Sequence, residues 1–310
     1  MSVRVGVDGG QSRLRLAVTA RPDEVFEAPG FSYHAGEPVA ATVDAVRQAW
    51  ATAGVAEPVE RAVLGLTGLP SIASLRDALA AGIARTLGTR EVVLCADNVT
   101  AHAGALPEGY GVALTVGTGV GCLAVDPATA TIHRVDGWGH LYGDDGSAFA
   151  IGRAGIAAVL RALDGRGSRT VLSAVAAARY GPAASMTQRL YPSPRVVDDT
   201  ARFAPDVIAA AAGGDEVADG IVRRAGAELA HTAAAGVAVL PGDGGVPVTH
   251  VGRLVAAGGP LVDAFRAALA ETCPRARPVA AAGSALDGAR RLADRPGSAY
   301  QAHLHVYRGS

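Results

Sequence analysis

Two glycine-rich turns with hydroxyl side chains share one design. The first lies in residues 3–18, VRVGVDGGQSRLRLAV, and the second in residues 112–125, VALTVGTGVGCLAV. Each turn joins two apolar runs, which predicts a strand–turn–strand unit. Glycine in such a turn lets backbone N–H groups approach an anion closely. The first turn adds the carboxylate of Asp8 and the second adds the hydroxyl of Thr118. Together they predict a phosphoryl-transfer site, where positioning and charge neutralisation do most of the chemistry.

A β-hairpin without any ligand is the simpler interpretation of either turn alone, because a single glycine motif is weak support for a binding site. The presence of two such turns favours the functional interpretation. So does Asp8, because a carboxylate at the end of a buried strand is costly unless it is hydrogen-bonded.

The composition limits the possible functions. The chain has 310 residues, enough for two domains, and a hydrophobic fraction of 49% that secures a core of small aliphatic side chains. The net charge of −1 gives no electrostatic reason to expect nucleic acid or an anionic membrane as a partner. All 28 basic residues are arginine, which excludes a Walker-type phosphate loop, because that loop requires a lysine.

Cysteine and histidine spacing indicates no metal or disulfide framework. Cys95, Cys122 and Cys273 are expected to be buried small hydrophobic side chains. No leader peptide and no membrane span are expected, so the sequence predicts a cytoplasmic, reduced protein.

Strands and helices that could position the two turns alternate along the chain. Periodicity predicts helices over 37–53, 74–87 and 259–269, and strands over 61–66 and 91–96. The segment 136–147 is too rich in glycine for regular structure, and a helix is expected to start near Ser147. Further expectations are helices with breaks over 155–240, a strand and glycine turn over 247–254, a short strand and final helix within 276–293, and an irregular tail from Pro296. This alternation predicts an α/β fold.

Five segments, in order, resemble the motifs of one superfamily. VGVDGGQS resembles the phosphate-1 loop of the actin/hexokinase-like ATPases, LCADNVTAHAGA the catalytic-acid segment, and LTVGTGVGCLAV the phosphate-2 loop. GWGHLYGDDGSAFAIGRAG resembles the GWG…GDEGS signature of N-acetylglucosamine kinases and the related BadF/BadG-type ATPases, and it is the most specific of the five. VTHVGRLVAAGGPLVDAFRAAL, followed by GSALDGARRLA, resembles the adenosine loop and closing helix.

This resemblance implies an architecture and a set of ligands. The implied fold is α/β, with two ribonuclease-H-like lobes of the actin/hexokinase-like ATPase type and a cleft between them. The N-terminal lobe would comprise residues 1–108 with a C-terminal helix at about 290–310, and the C-terminal lobe residues 109–289. ATP and Mg²⁺ are the implied cofactors, a sugar is the implied substrate, and a homodimer is the implied assembly, without nucleic acid or membrane partners.

The resemblance also assigns roles to residues. Asp97 is expected to orient the acceptor hydroxyl and accept its proton, the alternative being a helix N-cap. Asp8 is expected to hold Mg²⁺ through water. Nucleotide-binding residues are expected in three loops: Gly9, Gly10, Gln11, Ser12, Arg13, Gly117, Thr118, Gly119, Gly252 and Arg253. Sugar-binding residues are expected after Asp97, in the phosphate-2 loop and in the GWG…GDDGS segment: Asn98, Thr118, Gly137, Trp138, Asp144 and Ser147.

Alternatives remain for three of the residues in the GWG…GDDGS segment. Asp144 could belong to a solvated turn, Asp145 could cap the helix that starts near Ser147, and Trp138 could be a plug at a domain interface.

Three loops depart from the family pattern. The phosphate-1 loop usually reads DGGGT followed by lysine, whereas here Gln11, Ser12 and Arg13 follow the two glycines. Arg253 stands where the adenosine loop usually has a second glycine. The sugar-facing loop usually carries an asparagine, whereas residues 30–34 read GFSYH, and Ser32, Tyr33 and His34 are expected to contact an acetamido group.

The resemblance implies an ATP-dependent kinase that acts on the 6-hydroxyl of an amino sugar. N-acetylglucosamine is the acceptor sugar expected first. Two alternative functions are retained. One is a kinase of glucosamine or another hexose, and the other is a sugar-independent BadF/BadG-type ATPase or activase. Activases of this superfamily carry a cysteine-bound iron–sulfur cluster, and the repressor/kinase group of sugar kinases carries a cysteine-rich zinc motif. The three scattered cysteines of this chain match neither.

Overall fold

The computed structural model of the chain describes residues 2–10, 13–31, 38–256, 258–295 and 298–309. The chain divides into two compact units: Met1–Tyr110, Val125–Ile132 and Ala280–Ser310 form the first, and Gly111–Ala124 and His133–Val279 form the second. The predicted lobes, 1–108 with about 290–310 and 109–289, stay a prediction.

Both units combine strands and helices. The strands are β1 (Val3–Gly9), β2 (Arg13–Val18), β3 (Arg21–Pro29), β4 (Val59–Leu66), β5 (Glu91–Ala96), β6 (Gly111–Val116), β7 (Val120–Asp126), β8 (Thr131–Val135), β9 (Val246–Val251), β10 (Ala276–Pro278) and β11 (His305–Arg308). The helices are α1 (Pro38–Ala53), α2 (Ala73–Leu87), α3 (Asp97–Ala105), α4 (Ala148–Leu163), α5 (Leu172–Tyr180), α6 (Ala183–Leu190), α7 (Val196–Ala201), α8 (Ala204–Ala212), α9 (Glu216–Ala238), α10 (Pro260–Thr272) and α11 (Ala285–Asp294), with a 3₁₀ helix over Ser298–His303.

The first unit is built on a six-stranded sheet with the order β11-β5-β4-β1-β2-β3. Strand β1 pairs antiparallel with β2 and parallel with β4, and β4 pairs parallel with β5. Apolar side chains of one face, including those of Val5, Val7 and Leu64, are buried in a core with α1 and α2. The carboxyl ends of β1, β4 and β5 therefore lie side by side at one edge of this sheet.

Helices α3 and α11 pack closely on each other in the first unit. A Cβ on Gly104 would overlap the carbonyl oxygen of Ser284, and a Cβ on Gly288 would overlap that of Thr100. Helix α11 also approaches β1, since a Cβ on Gly6 would lie 2.7 Å from the backbone nitrogen of Arg290. Small residues at these contacts let the two helix backbones come together.

The second unit contains a five-stranded sheet with the order β10-β9-β6-β7-β8, in which β6, β9 and β10 run parallel. Helix α9 packs on this sheet and on α10. A Cβ on Gly236 would lie 3.0 Å from Val112 Cγ1, and one on Gly226 would lie 2.6 Å from Ala264 Cβ.

Most of the predicted elements are confirmed, including the hairpin over 3–18, the strand over 91–96 and the irregular segment before α4. Strands β3 and β8 were not predicted, and the prediction for the tail is wrong. Strand β3 was not expected, because its sequence RPDEVFEAP is largely exposed and polar and so lacks the usual alternation. The tail from Pro296 is not irregular, and the C-terminal helix implied at about 290–310 is wrong as well. Helix α11 ends at Asp294, and the described residues after it form the 3₁₀ helix and then β11, which pairs antiparallel with β5. Glu37 and Pro296 lie outside the described residues.

The three cysteines are buried and free, as expected. In the described part of the chain, no helix combines the length and the apolar character needed to cross a membrane.

Candidate functional site

Asp8 lies in β1 with its carboxylate bound to an arginine. Arg15, its direct neighbour on β2, donates from Nη2 at 2.5 Å and from Nε at 3.2 Å, both to Oδ2. The two side chains are 19% and 33% exposed, so this ion pair is partly shielded from water. Sequence reasoning missed Arg15, although its position two residues beyond Arg13 puts both on one face of a strand.

Asp8 fits the role of a single magnesium-facing carboxylate. Mg²⁺ keeps several waters and usually takes one or two carboxylates together with substrate phosphates. Both bonds from Arg15 end on Oδ2, so Oδ1 can face a hydrated ion. No group of three or more metal-ligating side chains occurs within the described residues.

The turn after Asp8 is tightly constrained. A Cβ on Gly9 would lie 2.7 Å from Leu66 Cδ2, whereas one on Gly10 would find its nearest neighbours at 3.7 Å. Packing therefore disfavours a side chain at Gly9, whereas a Cβ on Gly10 would make only ordinary contacts, with the carbonyl oxygen of Arg13 and with Thr67 Oγ1. The Arg13 guanidinium donates to Glu27 Oε1 at 2.9 Å on the exposed side of β3. Gln11 and Ser12 lie outside the described residues, as do Ser32, Tyr33 and His34.

Asp97 is the first residue of α3 and does not cap it. The N-cap position belongs to Ala96, and no side chain caps the helix there. The Asp97 carboxylate instead accepts a hydrogen bond of 2.5 Å from the hydroxyl of Thr67. The capping alternative is therefore wrong. The positive end of the α3 dipole also favours the ionised carboxylate at this position.

Asn98, the next residue, is half-buried. It shares the first turn of α3 with Asp97.

The second glycine turn, between β6 and β7, is held by the start of α4. The N–H of Gly117 donates to the carbonyl of Gly119 at 2.9 Å. The N–H groups of Ala148 and Phe149 donate to the carbonyls of Gly117 and Thr118 at 2.9 and 3.2 Å. The first turn of α4 thereby fixes the conformation of this turn.

Ser147 provides the N-cap of α4. Its hydroxyl accepts from the N–H of Ala150 at 3.1 Å, and the residue is fully buried. Asp145 is therefore not the cap, because Ser147 already occupies that position. A sugar-binding role for Ser147 stays a prediction.

Asp144 places a buried carboxylate against the same turn. Its own N–H donates to Asp136 Oδ1 at 3.0 Å, and the backbone N–H groups of Val120 and Gly139 favour the ionised form of its carboxylate. Burial, with a smaller contribution from the charge of Asp136, raises the pKa of Asp144. The residue is 8% exposed, so it does not belong to a solvated turn. It links the GDDGS segment to the phosphate-2 turn.

Trp138 is 69% exposed, and its ring stacks on the Arg134 guanidinium, 5.0 Å from the ring centroid. Arg134 also donates to the carbonyls of Asp136 and Gly137, which holds this segment in place. Much of the indole surface therefore remains exposed to a ligand.

Gly252 lies beside the phosphate-2 turn in the second unit. Its φ of +122° suits glycine, and a Cβ there would overlap the carbonyl oxygen of Val116 at the end of β6. Arg253, the next residue, is exposed. The adenosine-loop residues therefore start where β6 ends.

The structure brings the predicted residues together within each unit. The first unit gathers Asp8, Gly9, Gly10 and Asp97 at the carboxyl edge of its sheet, and the second gathers the Gly117–Gly119 turn, Asp144, Ser147 and Gly252. Sequence reasoning missed Thr67, for which the only signal was its place directly after an apolar strand, before the turn GLP.

Solved structures resemble this fold. A crystal structure of a candidate N-acetylglucosamine kinase from Chromobacterium violaceum superposes with a TM-score of 0.71 at 24% identity, covering 94% of this chain and 99% of that one. A ROK family glucokinase from Streptomyces griseus, crystallised with glucose and AMPPNP, superposes with a TM-score of 0.56 at 19% identity, covering 96% and 100%. The predicted α/β fold of the actin/hexokinase-like ATPases is confirmed.

Sequence comparison adds a relative and a family. An N-acetylmuramic acid/N-acetylglucosamine kinase of Clostridium acetobutylicum is 35% identical over 89 residues, which are 28% of this chain and 29% of that protein. The match thus spans less than a third of that relative's length. The sequence profile of the BadF/BadG/BcrA/BcrD ATPase family matches residues 5–288. This chain therefore belongs to the BadF/BadG/BcrA/BcrD ATPase family.

Proposed function

We propose that this protein is an ATP-dependent kinase that phosphorylates the 6-hydroxyl of an amino sugar, with N-acetylglucosamine as its preferred acceptor. The observation that carries the proposal is the Asp97 carboxylate. It lies at the carboxyl edge of a parallel sheet, at a helix N-terminus, and is oriented by the Thr67 hydroxyl at 2.5 Å. A kinase needs such a carboxylate to orient the attacking hydroxyl and accept its proton.

The two glycine turns supply the other parts of the reaction. In this proposal, the Gly9–Gly10 turn of the first unit binds nucleotide phosphates through backbone N–H groups, and the Gly117–Gly119 turn of the second unit does the same. Gly252 and Arg253 contact the adenosine. Asp8 holds the magnesium ion through water, and the ion supplies charge neutralisation on the phosphates when bound. Asp97 takes the proton of the acceptor hydroxyl as it attacks.

The choice of sugar draws on the relatives and on the GWG…GDDGS segment. Both the Clostridium relative and the Chromobacterium structure carry N-acetylglucosamine kinase in their names. The exposed ring of Trp138 suits stacking on a pyranose. We propose that the acetamido group is read near residues 32–34, which lie outside the described residues.

An ADP-release screen with ATP, Mg²⁺ and a panel of hexoses and amino sugars tests this function. We expect release to depend on sugar, and kcat/KM for N-acetylglucosamine to exceed that for glucosamine by roughly tenfold or more, the discrimination that a small apolar group supports. A higher kcat/KM for glucosamine would move the assignment to that sugar. Equal release with and without sugar would favour a sugar-independent ATPase of the same family.

Asp97→Asn is the matched variant for this screen. Loss of the general base is expected to lower kcat by roughly 10²- to 10⁴-fold. Nucleotide affinity measured by calorimetry should stay close to wild type, because the amide keeps the shape and an acceptor for Thr67. Wild-type turnover in this variant would contradict the role of Asp97.

A further inference from the structure

Thr67 occupies the centre of a row of residues at the carboxyl edge of the first sheet. The sheet register places Gly9, Leu66 and Ala96 side by side on β1, β4 and β5. These three residues end their strands, and the residues that follow them are Gly10, Thr67 and Asp97. Since β4 lies between β1 and β5, Thr67 stands between the phosphate-1 turn and the start of α3.

Two hydrogen bonds join Thr67 to both neighbours. Its N–H donates to the carbonyl of Gly9 at 2.9 Å, and its hydroxyl donates to Asp97 Oδ2 at 2.5 Å. The hydroxyl also lies beside Gly10, where a Cβ would be 3.7 Å from Thr67 Oγ1. One residue therefore links the turn that follows Asp8 to the carboxylate of Asp97.

The hydrogen bond between the Thr67 hydroxyl and the Asp97 carboxylate is suited to fixing the orientation of that carboxylate. An ionised carboxylate only accepts, so the Thr67 hydroxyl must donate to it. Hydrogen bonds to charged groups are stronger than neutral ones, and the branched threonine side chain is stiff at χ1. The backbone bond to Gly9 further fixes Thr67 relative to β1.

We propose that Thr67 is a positioning residue that holds the Asp97 carboxylate in the orientation required for proton transfer and keeps it in register with the phosphate-1 turn. This inference rests on the proposed function, because it assigns Asp97 to the acceptor hydroxyl. Thr67 itself need not touch either substrate.

Steady-state kinetics of Thr67→Val and Thr67→Ser test the proposal. Valine keeps the shape and removes the hydroxyl, so kcat is expected to fall by roughly 10- to 100-fold, the worth of a hydrogen bond to a charged group. The KM values for ATP and sugar should stay within a few-fold. Serine keeps the donor and should restore kcat to within a few-fold of wild type.

Thr86→Val is the matched control. Thr86 is also half-buried and donates its hydroxyl, at 3.0 Å to the carbonyl of Gly82 on α2, away from Asp97. The Thr86→Val variant should therefore have the same kcat as the wild type. Wild-type kcat in Thr67→Val, failure of serine to rescue, or a change in KM alone would overturn the positioning role.

A double-mutant cycle of Thr67 and Asp97, measured as changes in Tm by thermal unfolding, tests the contact without an activity assay. Thr67→Val should lower Tm more in the wild-type background than in Asp97→Ala, because contacting residues are energetically coupled. Equal losses of Tm in both backgrounds would overturn the proposal. Absence of sugar-dependent ADP release from the wild type would contradict the proposed function alone, and the cycle would then still decide whether Thr67 holds Asp97.

Discussion

At the scale of single residues, the contact between Asp144 and Gly119 explains why the second turn requires glycine. A Cβ on Gly119 would lie 2.5 Å from Asp144 Oδ2 and 3.0 Å from its Cγ. The carboxylate cannot retreat freely, because Asp144 is buried and its backbone N–H is bound to Asp136 Oδ1. An alanine at residue 119 therefore forces either the turn or the carboxylate to move.

Gly119→Ala is expected to weaken nucleotide binding by at least about tenfold and to destabilise the fold by roughly 1–3 kcal/mol, typical of overpacking. Calorimetry with a non-hydrolysable ATP analogue and urea unfolding measure the two effects. Gly121→Ala is the control, because a Cβ there would have nothing within 4 Å. Unaltered nucleotide affinity in Gly119→Ala would mean that the second turn is only a hairpin turn.

At the scale of elements, the crossing of α3 and α11 controls where Asp97 lies. Helix α3 begins with Asp97, and its Thr100 carbonyl faces Gly288 on α11 without room for a Cβ. The side chain of Thr100 also fills the space above Gly65 on β4. Any displacement of α11 is therefore transmitted to the helix that carries the candidate base.

Gly288→Ala is expected to lower the free energy of unfolding by roughly 1–3 kcal/mol or more, because backbone atoms block the new methyl group. It should also lower kcat. Gly220→Ala provides a helical control: its Cβ would meet only Arg224 Nη1 at 3.7 Å, so a gain of about 0.5–1 kcal/mol from helix propensity is expected. Urea unfolding of both variants measures the difference, and equal stabilities would show that the helices can separate without cost.

At the scale of the whole molecule, the C-terminal segment belongs to the first unit and packs against α3. Tyr300, in the 3₁₀ helix, is 5% exposed and pairs with His102 Nδ1 at 2.7 Å, and the two rings meet edge to face. Burial raises the pKa of the Tyr300 phenol. Strand β11 then pairs with β5, the strand that leads into Asp97.

Tyr300→Phe is expected to destabilise the protein by about 1–3 kcal/mol, because it removes the hydroxyl from a buried hydrogen bond. Tyr191→Phe is the control, since Tyr191 is 82% exposed and surface changes usually stay within about 0.5 kcal/mol. Thermal unfolding compares the two. A loss in Tyr300→Phe no larger than that in the control would show that the C-terminal segment is held by β11 alone.

The amino-acid sequence by itself determined the elements whose signals are local. Alternation and helical periodicity were enough for β1, β2, β5, α1 and α2, and glycine turns between apolar runs were enough for both hairpins. The ordered motifs from the phosphate-1 loop to the closing helix identified the family, which the match over residues 5–288 confirms. The strands, helices and turns depend on neighbours within one or two turns of chain, so local patterns suffice to predict them, whereas the family followed from the resemblance of the motifs.

Only the tertiary structure decided which partners the charged side chains take. Asp97 contacts Thr67 instead of capping α3, Asp8 pairs with Arg15, and Asp144 turns inward to Gly119. The tail becomes a strand because the free edge of β5 offers it backbone partners. Each of these outcomes is set by strand register or by the packing of segments distant in sequence. A carboxylate that could cap, coordinate or pair is assigned only when the fold brings one partner within hydrogen-bonding distance.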